Sequence, residues 1–176
     1  PFRKTKDPYS VWLSEIILQQ TRMSTGLIYY KKFKKKYPNI KKLSEANSEV
    51  LLKDWEGLGY YARAKNLHST AKFIQNELSG IFPNSQKELI KLKGVGRYSS
   101  SAIASICFNE KTPAIDGNVY RVLSRIFGIK LNISLNSTYS CFYKKSMTLI
   151  KEFKSAGDYN QSLMDFGSIQ CLPKKP

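Results

Sequence analysis

Apolar residues recur at three- and four-residue intervals in segment after segment of this chain, and no stretch alternates apolar with polar residues convincingly enough to form a strand. That periodicity predicts an all-α fold. Asp7-Pro8 offers an N-cap followed by proline at the first helical position, opening a helix through about Gln19. A second helix is expected from about Ser24 to Lys36, with Leu27, Tyr30 and Phe33 on one face and Pro38 ending it. Short helices follow around Leu43 and from Glu49 to Trp55. After Gly57-Leu58-Gly59 a longer one carries Leu67, Ala71, Ile74 and Leu78 and stops at Gly80. Ser85-x-x-Glu88 is a capping box for a helix ending near Leu92. A small-residue helix is expected from Ser99 to Cys107, and one capped by Asp116 runs to Phe127, with Gly128 beyond its end. The last two are expected from about Ser137 to Lys154 and from Asp158 to Gln170.

Composition narrows the function classes. The 176 residues are 41% hydrophobic and 12% aromatic, enough to build a packed core as one domain or two small lobes. No apolar run approaches the ~18 residues of a membrane span, so a soluble monomer with no membrane partner is expected, in the cytoplasm with the nucleoid. The chain carries 29 Lys and Arg against 13 Asp and Glu, a net charge of +16. Such a balance points to a polyanion, most simply nucleic acid. The abundance of Lys, Asn and Ile also fits a bias in genome base composition. Cys107, Cys141 and Cys171 are too few and too scattered for a disulfide scaffold, and with His68 the only histidine a self-contained zinc site is not expected. The first residue is Pro1 and the chain stops at Pro176, which suggests a fragment.

Gly94-Val95-Gly96 sets two glycines in a tight turn between helices. Glycine permits positive φ and close approach of another backbone, and the N–H groups opening the next helix suit a phosphate oxygen. Ser99 and Ser100 add candidate hydroxyl donors, and Val95 can anchor the turn. An ordinary helix–helix turn reads equally well from the glycines alone; with +16 the turn looks like a helix-hairpin-helix DNA element.

Two carboxylates stand out. Glu15 has Val11, Trp12, Leu18 and Gln19 at helical spacing, so it lies either on a buried or cleft-facing side, where desolvation would keep it protonated, or at the edge of the apolar face in water. The pattern alone favours the second. Asp116, in Ile115-Asp116-Gly117-Asn118-Val119, lies at a helix start that favours its ionised form; a structural N-cap is the commonest reason for Asp there. An acid and a persistent anion together are the equipment for cleaving a glycosidic bond through an oxocarbenium-like transition state.

Four motifs appear in order: Leu13-Ser14-Glu15-Ile16-Ile17-Leu18-Gln19-Gln20-Thr21, Trp55-Glu56-Gly57-Leu58-Gly59-Tyr60-Tyr61-Ala62-Arg63-Ala64, Leu92-Lys93-Gly94-Val95-Gly96, and Asp116-Gly117-Asn118-Val119-Tyr120-Arg121-Val122. Together they resemble the catalytic core of MutY-type adenine DNA glycosylases, in the helix-hairpin-helix superfamily that includes endonuclease III. The resemblance implies a six-helix barrel lobe over residues 8–111, with the helix-hairpin-helix at about 86–107. It implies a second helical lobe over 112–176, truncated before the loop of a [4Fe–4S] cluster. It also implies double-stranded DNA carrying A·8-oxoguanine or A·G as partner, with adenine flipped out and its N-glycosidic bond hydrolysed. On this resemblance Glu15 is the general acid and Asp116 the stabiliser of the sugar cation, supported by Asn118 and Tyr98. Gln20 and Tyr60 wedge into the duplex, while Gln20's residue type alone reads as a polar helix terminus. Thr21, Gly59, Tyr61, Gly94, Val95, Gly96, Arg97, Ser99 and Ser100 complete the expected DNA surface. Gln161 contacts the flipped base.

Tyr98 stands where endonuclease III-like relatives carry the Schiff-base lysine, and a phenol forms no imine, so a monofunctional enzyme is expected. Cys171 matches the first of four cluster ligands; the other three are absent, and this chain is not expected to hold the cluster. Cys107 and Cys141 are expected in the core. Two alternatives remain at this point: a related glycosylase for another base, from a T·G mismatch or an oxidised pyrimidine, and a catalytically silent DNA-binding remnant.

Overall fold

The computed structural model describes residues 5–174. Ten α-helices succeed one another among them: α1 (Pro8–Leu18), α2 (Met23–Lys36), α3 (Ile40–Ser44), α4 (Ser48–Asp54), α5 (Ala62–Glu77), α6 (Gln86–Leu89), α7 (Arg97–Phe108), α8 (Gly117–Phe127), α9 (Asn136–Lys151) and α10 (Ala156–Ile169). The described residues contain no strand, and none of their helices is long and apolar enough to cross a membrane. Pro1 and Pro176, with the end of the expected second lobe, lie outside the described residues.

Local chemistry accounts for most helix starts. The Asp7 carboxylate accepts from Ser10 N–H at 3.0 Å, with Pro8 following. Asn39, Asn47, Ser85, Asp116 and Ser155 cap α3, α4, α6, α8 and α10 in the same way. Several boundaries differ from expectation by two or three residues. The helix opened by Ser85 is a single turn, because the chain turns at Ile90 toward the glycine hairpin. Helix α7 starts at Arg97, two residues early, with extended Gly96 as its N-cap. Helix α9 ends at Lys151 because the Ser155 hydroxyl accepts from Asp158 N–H at 3.1 Å and starts α10 at Ala156.

Helix α1 is apolar on nearly every face and packs against α2, α5 and α7 at the centre of the first core. Trp12, Leu13 and Ile17 are fully buried there with Phe33, Trp55, Leu67 and Ile74. Each such side chain contributes about 1.5–3 kcal/mol by leaving water, and Phe33 meets Trp55 edge-on with ring centroids 5.6 Å apart. A second cluster joins Ile115, Val119, Leu123, Phe142 and Met164, and a third Ile150, Ala156 and Tyr159.

Helix α10 packs on both α7 and α8. Gly157 allows the first contact: a Cβ there would lie 2.9 Å from Ile106 Cα. Buried Asn160 completes it. Its amide donates to Ser105 Oγ (2.8 Å) and the Thr112 carbonyl (3.0 Å), while its carbonyl accepts from Ala114 N–H (3.0 Å). The segment leading to Asp116 is thereby tied to α10.

Candidate active site

Glu15 is the only charged residue in α1. Ionised carboxylates are costly to bury without partners, and the packing leaves Glu15 half-exposed at the wall of a cleft of about 570 Å³. The cleft opens between α1, the start of α8 and one face of α10. Its lining includes Glu15, Asp116, Asn118, Tyr98, Gln161, Gln20 and Thr21, so residues as far apart in sequence as Glu15 and Gln161 share one space. The cleft-facing reading of Glu15 thus replaces the solvent-edge reading that the pattern alone favoured.

Asp116 is held from two sides. One carboxylate oxygen accepts from Val119 N–H at 2.8 Å, the other from the Asn118 side-chain amide at 2.8 Å. Asn118 is oriented in turn by Arg121, whose Nη2 donates to the Asn118 side-chain oxygen Oδ1 at 2.9 Å. Arg121 also donates to the Gly167 and Cys171 carbonyls. The helix start and these two hydrogen bonds fix the orientation of the carboxylate at the cleft wall. Tyr98 hydroxyl lies 3.1 Å from Met164 Sδ, which fixes the phenol against α10. Asp165 and Ser168, one turn apart on α10, line the same cleft.

At the rim, Gln20 and Tyr60 both have left-handed backbone, with φ of 54° and 47°. Such conformations cost non-glycine residues about 1–3 kcal/mol and persist where surrounding structure imposes them. Gln20 is exposed, as are Tyr60 (67%) and Tyr61 (44%), large rings with no core to fill. Gly59 precedes them with φ of 68°. Thr21 is half-buried beside Gln20.

The glycine hairpin is built as expected in part. Gly94 has φ of 79°, Val95 is buried, and Gly94, Gly96 and Arg97 face solvent. No side chain caps α7, so its first N–H groups keep the positive helix end. Ser99 and Ser100 need correction. They are 3% and 0% exposed. Ser99 Oγ accepts from Gln19 Nε2 (3.3 Å), and Ser100 Oγ donates to the Arg97 carbonyl (3.0 Å) while accepting from Gln86 Nε2 (3.2 Å). Their hydroxyls brace the hairpin from within and are unavailable to a phosphate.

Cys107, partly buried, packs against the first core as expected, whereas Cys141 is half-buried and joins none of the three clusters; Cys171 is buried, its sulfur accepting from Arg125 Nη1 at 3.0 Å. Among the described residues no three His, Cys, Asp or Glu side chains group to hold a metal. A [4Fe–4S] cluster takes four thiolates, and no such group forms among the described residues. Sequence reasoning also missed Arg63 and Arg121 as organising residues. The i+3 spacing of Arg121 from Asn118 was the one available signal for the latter.

The profile of the HhH-GPD superfamily base excision DNA repair protein matches residues 13–151. The chain is 42% identical to the adenine DNA glycosylase of Buchnera aphidicola subsp. Baizongia pistaciae over 176 residues, covering 100% of this chain and 49% of that one. It is 38% identical to the human adenine DNA glycosylase over 169 residues, 96% of this chain and 31% of the relative. It thus spans about half, or less, of the length of the curated relatives it matches. Among solved structures, a thermostable thymine-DNA glycosylase superposes with a TM-score of 0.89 at 30% identity, covering 100% of this chain and 81% of that one. An endonuclease III–DNA complex superposes with a TM-score of 0.82 at 21% identity, over 100% and 80%. Sequence and fold agree, and the chain belongs to the HhH-GPD superfamily of base excision DNA repair proteins.

Proposed function

We propose that this chain is the catalytic core of a monofunctional adenine DNA glycosylase acting on adenine opposite 8-oxoguanine or guanine. The observation that carries the reading is the meeting of Glu15 and Asp116 in one cleft, in a chain whose relatives are adenine DNA glycosylases. The glycosidic bond of a stacked base is out of reach, so adenine is extruded at a cost of a few kcal/mol. Gln20 and Tyr60 fill the gap it leaves. The exposed turn at Gly94 and Gly96, the open end of α7 and Arg97 hold the backbone phosphates, with Gly59 and Tyr61 on the same surface. Gln161 contacts the extruded base.

Glu15 protonates the adenine ring and turns it into a leaving group. As the bond to C1′ breaks, positive charge grows on the sugar beside the Asp116 carboxylate. That carboxylate is held ready by Val119 N–H and Asn118, so little reorganisation accompanies charge formation. Tyr98 offers no amine to the sugar, hence water completes hydrolysis and the strand stays intact. The reading assigns the DNA groove to the junction of two lobes, residues 8–111 and 112–176.

Single-turnover excision on duplexes containing A·8-oxoguanine, A·G, T·G and thymine glycol tests this, with Glu15→Gln as control. Adenine release that disappears in the variant, with breaks only after alkali, is the expected result. Preferential thymine release would replace adenine with the base named for the thymine-DNA glycosylase neighbour. Strand cleavage without alkali overturns the role given to Tyr98, and binding with no excision of any base points to a silent module.

A further inference from the structure

Gln20 and Tyr60 sit on different turns, between α1 and α2 and between α4 and α5. Each is exposed, and each is held in left-handed backbone. Something must set their spacing, because two wedges entering one duplex act together only at a fixed separation. One side chain touches both turns. Arg63, the second residue of α5, donates through Nη1 to the carbonyls of Ile16 (3.3 Å), Ile17 (3.2 Å) and Gln19, and to Thr21 Oγ1 (3.2 Å). Its Nη2 donates to the carbonyls of Leu58 (2.9 Å) and Gly59 (3.3 Å). The guanidinium also lies over two rings, 5.7 Å from the Tyr60 centroid and 5.2 Å from that of Trp55.

The chemistry explains the choice of residue. The last carbonyls of α1 have no partner within the helix, and a cation suits that negative end. The Leu58–Gly59 turn presents two more carbonyls from the other side. Only a planar fork with separated donors serves both at once; an ammonium is a single point. Gln20 follows directly on the carbonyl of Gln19, and Tyr60 on that of Gly59, so the guanidinium grips the residue before each wedge.

We infer that Arg63 is a positioning residue that locks the two wedge turns to each other, so that Gln20 and Tyr60 enter the duplex as one unit. The inference rests on the wedge roles proposed above, and its test is a double-mutant cycle. Base extrusion is followed by the fluorescence of 2-aminopurine placed at the target position, and excision by single turnover on A·8-oxoguanine. Arg63→Lys keeps the charge and loses the fork. It is expected to slow extrusion and excision about tenfold while duplex affinity at fixed salt stays within about threefold. In a Gln20→Ala/Tyr60→Ala background the same change is expected to cost less than about twofold, since nothing remains to be positioned.

An equal loss in both backgrounds assigns Arg63 a merely structural role and overturns the inference, as does wild-type extrusion by Arg63→Lys. If the lysine variant loses cooperative unfolding, Thr21→Val replaces it, removing one guanidinium contact, with a smaller loss that again vanishes in the double-alanine background. A parent chain that extrudes 2-aminopurine without excising adenine sinks the glycosylase assignment alone, and the fluorescence cycle still decides on Arg63. A parent chain that extrudes nothing overturns both.

Discussion

Gly167 on α10 lies directly under the turn that carries Asp116. A Cβ built there would stand 2.7 Å from Asn118 Cβ, 3.1 Å from the Asn118 carbonyl oxygen and 3.2 Å from its carbon. Carbon atoms rest comfortably at about 3.5–4.0 Å, so Gly167→Ala must push α8 from α10 by about 1 Å. Two of the three atoms met are backbone, and no rotamer change relieves them. Overpacking of this kind costs about 1–3 kcal/mol, offset by about 1 kcal/mol from the better helix propensity of alanine. The net is about 1 kcal/mol, a fall of about 2–4 °C in melting temperature for a chain of this size. Activity should suffer far more. The displaced residue is the one whose amide holds the Asp116 carboxylate at 2.8 Å, and misplacement by about 1 Å can cost a hundredfold in rate. Single-turnover excision at 25 °C should therefore drop about 10- to 100-fold with the fold intact. Gly157→Ala is the companion. Its Cβ would meet the α7 backbone 2.9 Å away at Ile106 Cα, so its melting temperature should fall at least as far while excision stays within about threefold. Wild-type excision by Gly167→Ala, or equal rate losses in both variants, would refute the claim that α10 sets the Asp116 turn.

Three further outcomes follow from single contacts. Asn160→Ala removes three buried hydrogen bonds and strands their partners, so about 2–4 kcal/mol and roughly 5–10 °C of thermal stability should be lost, and an unchanged melt would deny that this residue ties the 112–114 segment to α10. For Asp54, burial opposes the charge, but hydrogen bonds from Lys36, Tyr37 and Lys32, with the Lys36 charge, outweigh it and hold the carboxyl below its ordinary range. A depressed folded pKa stabilises fully above the unfolded value and is lost as pH falls through the folded one; melting curves of wild type and Asp54→Asn should differ at pH 7 and converge in acid, and a constant gap would exclude this linkage. Arg97→Gln, at the exposed mouth of the hairpin, should weaken duplex binding on any sequence and reduce the slope of log affinity against log salt by about one, whereas an unchanged slope would remove Arg97 from the phosphate contacts.

Much of this protein is local. Helix positions were legible because periodicity and caps act within three or four residues: Asp7, Asn47, Ser85 and Asp116 each cap the helix that directly follows. The surroundings of the Asp116 carboxylate were legible for the same reason, since Val119 N–H and Asn118 lie three and two residues away. Boundaries slipped where a competing cap, as at Ser155, ended a pattern early, and where the chain turned into or out of the glycine hairpin. Ordered motifs carried the family, though the sequence alone left the environment of Glu15 open.

Tertiary packing decided what periodicity cannot encode. Glu15 faces a cleft because α2, α5 and α7 occupy the rest of the α1 surface. Ser99 and Ser100 are buried because Gln19 and Gln86 reach them from other elements, so residue type promised donors that packing withdrew. The two organising arginines were invisible for the same reason: Arg63 grips Thr21 across 42 positions, and Arg121 grips Cys171 across 50. A helix pattern reports which faces are apolar. Which distant carbonyls come to lie within reach of a guanidinium is settled only when the chain has closed around its core.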